Sequence, residues 1–102
     1  MYLKQGDTAP KVQGDLNADV TGATVLFRLM KLNGTFVMSR TATITDAANG
    51  IVEYQWVSGD LALLLPGAYR AEFVVTFADT RVERFPQRSY LELIVKPAVP
   101  AA

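Results

Sequence analysis

Apolar and polar side chains alternate with period two through three stretches of this chain, and that alternation limits the fold more than any other feature. In 24–30, Val25, Phe27 and Leu29 are expected on one face, with Thr24, Leu26, Arg28 and Met30 on the other. In 51–56, Val52, Tyr54 and Trp56 point inward and Glu53 and Gln55 outward. In 69–77, the inward set is Tyr69, Ala71, Phe73, Val75 and Phe77. Weaker strands are expected at 10–16, at 36–45 with a break near Arg40, at 80–85 and at 90–95. Asn33-Gly34 suits a tight hairpin, Asp46 to Gly50 a longer loop, and Pro66-Gly67 a chain break before Tyr69. Seven or eight short strands so punctuated predict an all-β, antiparallel, two-sheet sandwich, with a barrel as the other way to close it. The stretch 60–65 reads as a short helical crossover that Pro66 ends.

The 102 residues predict a single sandwich domain over 1–102, with 97–102 as an extended Pro-Ala tail. Ten basic residues balance ten acidic ones, so neither nucleic acid nor an anionic membrane is an expected partner. No apolar run nears the roughly 20 residues that cross a bilayer, and the N-terminus lacks a secretory h-region. The chain is therefore expected to be soluble and made inside the cell. It has no cysteine and no histidine. Disulfides, thiol nucleophiles, thiolate metal sites, histidine bases and the commonest transition-metal ligand are thus excluded by inventory. No enzyme activity, cofactor or metal is expected, and a small-molecule ligand is not expected either.

Trp56 and Tyr69 have the faces for stacking a sugar or base, but both fall on inward phases and are expected in the core. Leu65-Pro66-Gly67-Ala68-Tyr69 looks like the corner of an immunoglobulin-like sandwich, in which the tyrosine hydroxyl bonds back to nearby backbone. Asp15, Asn17 and Asp19 offer three oxygens where calcium needs six to eight, so they are expected to form a solvated turn. Arg81, Arg84 and Arg88 surround Glu83, with Arg81 and Glu83 on one face, and are read as a charged edge strand.

Gly6-Asp7-Thr8-Ala9-Pro10, Thr21 to Val25, Ile44-Thr45-Asp46, Gly50 to Trp56, Pro66 to Phe73, Phe85-Pro86 and Leu91 to Val95 occur in an informative order. In that order the chain resembles the N-terminal immunoglobulin-like domain of the phage baseplate upper protein family. Two features depart from the pattern: Thr80 follows Asp79 where glycine is usual, and the loop before Thr21 is short. The resemblance implies a non-enzymatic structural protein of a tailed-phage virion, in its tail, baseplate, neck or capsid decoration. Such a protein would be made in the bacterial host cytoplasm and dock other virion proteins or further copies of itself. Because the chain ends where the domain ends, a small stand-alone component without a receptor-binding part is expected. A carbohydrate-binding adhesin module is the other reading, and it requires aromatic rings on one solvent face.

Leu26, Met30 and Val74 break the polar pattern of outward positions, and Tyr90 and Ile94 join them if Leu91, Leu93 and Val95 point inward. A group of such residues suggests a contact surface, and methionine adapts well to one. The expected partner interface is Met1, Tyr2, Leu3, Leu26, Met30, Val74, Pro97 and Pro100.

Overall fold

The computed structural model describes residues 1–4, 11–57, 64–86 and 91–97. Among these lie nine strands and no helix: β1 (Tyr2–Lys4), β2 (Lys11–Asp15), β3 (Thr24–Lys31), β4 (Phe36–Thr41), β5 (Thr43–Asp46), β6 (Ile51–Gln55), β7 (Gly67–Thr76), β8 (Val82–Phe85) and β9 (Leu91–Lys96). They form two separate sheets, so the fold is an all-β sandwich rather than a closed barrel. The six-stranded sheet has the order β1-β9-β7-β3-β4, with β8 also paired to β7. The three-stranded sheet has the order β2-β6-β5. Every pairing is antiparallel except β1 with β9, which is parallel.

The period-two patterns become two apposed inner faces. Val25, Phe27 and Leu29 of β3 and Tyr69, Ala71, Phe73 and Val75 of β7 are buried against Val52, Tyr54 and Trp56 of the other sheet. Phe77 closes this row half-buried. At the centre the rings of Phe27 and Tyr54 stack at 4.8 Å, and Trp56 meets Phe27 edge-on at 5.6 Å. Phe73 tilts against Phe27 at 5.6 Å. Offset and edge-on aromatic pairs of this kind add roughly 0.5–1.5 kcal/mol each beyond the area they bury. Gly14 of β2 has no side chain because a Cβ there would stand 2.7 Å from Cε2 of Phe73. Its absence lets the Phe73 ring lie against the facing strand.

Several elements differ from the sequence expectation. The strand expected over 36–45 breaks at Ala42 rather than near Arg40, and the break moves the chain from one sheet to the other. The Ala42 amide donates to the Val25 carbonyl at 2.8 Å, which pins the crossing point. The strand expected from Thr80 starts at Val82, because Phe77 and Arg81 close a tight turn, with the Phe77 amide donating to the Arg81 carbonyl at 2.8 Å. Arg81 therefore sits in the turn and does not share a strand face with Glu83. β1 had no counterpart in the reading of the sequence. The crossover read at 60–65 lies outside the described residues except for Leu64, which is buried, and exposed Leu65.

Candidate functional site

Tyr69 donates its hydroxyl to the Leu65 carbonyl at 2.6 Å, the bond that the corner pattern implied. Burial raises its pKa above the ordinary 10.0. Tyr54, Trp56, Tyr69 and Phe73 are all buried, so no solvent-facing row of these rings exists for a glycan. That removes the feature on which the adhesin reading depended. Trp56 Nε1 is buried with no hydrogen-bond partner among the described residues, with the Phe27 and Tyr54 rings at right angles to it.

The acidic loop 15–19 is a pair of side-chain-capped turns. Asp15 accepts the Asn17 amide at 2.9 Å, and Asp19 accepts both the Thr21 amide at 2.9 Å and its hydroxyl at 2.6 Å. Asp46 binds Asn49 in the neighbouring loop. Hydrogen bonds from Thr21, chiefly its hydroxyl, hold the Asp19 carboxyl below the ordinary 3.8. Among the described residues, no group of three or more carboxylates is arranged to hold a metal ion. Of the three arginines, Arg81 pairs with Asp79 at 2.6 Å and Arg84 with Glu72 at 3.6 Å, while Arg88 lies outside the described residues.

The residues of the expected interface fall into two groups. Leu26 and Met30 of β3 lie half-buried on the outer face of the six-stranded sheet, where the alternation put them. Val74 is on the same face but only 5 % exposed. It is corrected to a packed position, because Leu26 and Arg84 flank it from the strands on either side. Leu3 is also corrected: β1 turns it inward beside Val95, and it is 2 % exposed, part of the core. Met1 and Tyr2 are exposed, and the N-terminal amine donates to the Glu92 carbonyl at 3.0 Å. The N-terminal end is thus held by its own chain. Pro97 is exposed. Tyr90 and Pro100 lie outside the described residues.

One residue of this outer face escaped the sequence reading. A register shift in β4 sets Phe36, not Val37, opposite Met30, so the Phe36 ring lies on the outer face and is 59 % exposed. Bulges commonly re-aim a side chain in this way. Phe36, Met30, Arg28, Arg70, Glu72 and Gly34 line a shallow groove of about 160 Å³. The Arg28 guanidinium stands 5.8 Å from the Phe36 ring centroid, within the range of a cation–π contact. Gly34 turns the β3–β4 hairpin with φ of 88°, and nothing lies within 4 Å of where its side chain would be, so the groove is open at that end. An asparagine-glycine hairpin beside an edge strand was a legible signal for this corner; the bulge was not.

The outer face is also charged. The outward positions of its strands carry Lys4, Arg28, Arg70, Arg84 and Lys96 against Glu72 and Glu92. Five cations against two carboxylates give a formal +3 on one face of a chain whose formal net charge is zero.

No protein-family model matches the chain, and no curated protein matches it. Among solved structures, the crystal structure of CopC from Methylosinus trichosporium OB3b shares the fold with a TM-score of 0.60 at 15% identity, covering 99% of this chain and 87% of that one. This neighbour confirms the β-sandwich and corrects the virion function inferred from motif order. CopC, which matches across the chain, is not a phage structural protein. A sandwich of this shape requires turns and strands in such an order whatever its biological setting, so the motif order reports the fold.

Proposed function

We propose that the chain is a non-catalytic module that binds another protein through the outer face of its six-stranded sheet. The observation that carries this reading is the placement of Leu26, Met30 and Phe36 among arginines on that face. Methionine, arginine and aromatic residues are the types enriched in protein–protein interfaces. Proteins, rather than single-stranded nucleic acid, suit the layout. The exposed rings of Tyr2 and Phe36 stand on opposite edge strands, four strand spacings or roughly 19 Å apart. Successive bases need stacking partners much closer together than that.

A photo-crosslinking side chain at Met30, introduced in the cell that makes the chain, tests the reading. The expected result is protein adducts from position 30 and none from a control at Thr43 on the three-stranded sheet. Charge substitutions at Leu26 and Phe36, made with the crosslinker kept at position 30, abolish the adducts while the purified domain keeps its thermal transition. Equal labelling from the two positions, or adducts that survive the substitutions, would overturn it.

A further inference from the structure

The formal charge of zero conceals a separation. The +3 sheet face has a counterpart at the other end of β3. Asp15 and Asp46 flank Ile51 from either side in the three-stranded sheet. The loop that carries Asp19 is tied to the loop after Asp46 by the Val20 amide, which donates to the Ala47 carbonyl at 2.9 Å. None of these three carboxylates has a cationic partner among the described residues. Among the described residues Asp15 and Asp19 each take their hydrogen bonds on Oδ1, and both residues are exposed.

The groove supplies what those carboxylates lack. Arg28 is in no ion pair among the described residues, since its cross-strand neighbour Glu72 pairs with Arg84. Its planar fork of N–H donors, packed near the Phe36 ring, suits a carboxylate. Met30 and Phe36 give the groove an apolar lining beside such a pair. The acidic loops adjoin Thr24 and the groove is lined by Arg28 and Met30, four and six residues further on, so the two surfaces stand roughly 13–20 Å apart along β3. They cannot meet within one copy, but they can meet between copies.

We propose that the groove of one copy receives the Asp15–Asp19 loop of a second copy, so that the chain associates head to tail. This rests on the docking reading above and names its partner. A contact between two different surfaces leaves a free groove at one end and a free loop at the other, so growth continues past the dimer into a ring or a filament.

Sedimentation of the full chain tests this. At ~20 mM salt the mass rises with concentration beyond two copies, and at ~0.5 M salt the association weakens by about tenfold or more, as screening requires. Two variants disable one surface each. Arg28→Glu with Arg70→Glu closes the groove, and Asp15→Asn with Asp19→Asn removes the loop charge while keeping acceptors for the turns. Each variant alone is monomeric, and an equimolar mixture gives a dimer that grows no further. A wild-type chain that stays monomeric at low salt, a mixture that does not pair, or variants that assemble as the wild type does would overturn the proposal. If the position-30 crosslinker captures only a different protein, head-to-tail association fails and the docking reading stands. Nuclease-sensitive adducts alone would overturn both.

Discussion

Thr80 adopts φ of 72°, in the left-handed region where β-branched residues are outliers. The turn from β7 to β8 requires this, because the Thr80 amide donates to the Phe77 carbonyl at 2.9 Å and Asp79 holds Arg81 beyond it. The strain of a left-handed residue is roughly 1–2 kcal/mol, whereas glycine costs roughly 0.5–1 kcal/mol in chain entropy. Strain wins, so Thr80→Gly is expected to stabilise the domain by about 0.5–1 kcal/mol, read from urea midpoints; a loss of stability would show that the turn is not strained. Tyr69 gives a second test. Tyr69→Phe removes the bond to Leu65 and should cost about 1 kcal/mol. Because burial raises the Tyr69 pKa, its contribution is full below 10.0 and is lost as pH rises through the higher folded value. The wild type should therefore lose stability above pH 10 by a margin that the phenylalanine variant lacks. Both residues stood out in the sequence, Tyr69 by its corner and Thr80 as the residue where glycine was expected. Val74 stood out as an interface residue rather than a packed one, because its phase is outward and only the strands on both sides of β7 bury it.

At the scale of elements, what could be read locally was read, and what depends on distant pairing was not. β3, β6 and β7 announce themselves by alternation, since each has an inner face to fill and an outer one to solvate. β1 has only three residues, too few for a pattern, and its partner β9 is 91 positions away from Met1 by the hydrogen bond that joins them. Its contribution rests on Leu3, which is 2 % exposed. Leu3→Ala is expected to cost about 2–5 kcal/mol, the usual range for emptying a leucine site. A cost below 0.5 kcal/mol in denaturant titrations would mean that β1 is not docked in solution. The β4 bulge is hidden for a related reason. Phe36, Val37 and Met38 are all apolar, so the sequence gives no phase there, and the pairing with β3 selects which ring faces out. The site was therefore half legible: Leu26 and Met30 by phase, Phe36 and the charge of the face only from the sheet order.

At the scale of the whole molecule, the same long-range topology sets the order of assembly. The aromatic cluster joins the two sheets through residues that are close in sequence by this fold's standards, with Phe27 on β3, Tyr54 on β6 and Phe73 on β7. Closing β1 onto β9 fixes nearly the full length of the chain for three register pairs and one buried leucine. Loop-closure entropy grows with the span, so contacts of that length are rewarded only after the rest of the sheet exists to receive them. The cluster is thus expected to be partly formed in the folding transition state, and β1 to dock after it. In stopped-flow chevrons, Leu3→Ala should raise the unfolding rate by nearly its full stability cost and leave the refolding rate within about twofold of the wild type. Phe27→Leu should slow refolding by a larger share of its own cost. If Leu3→Ala slowed refolding as much as Phe27→Leu for the same loss of stability, the N-terminal strand would belong to the nucleus, and the order of assembly argued from the topology would be wrong.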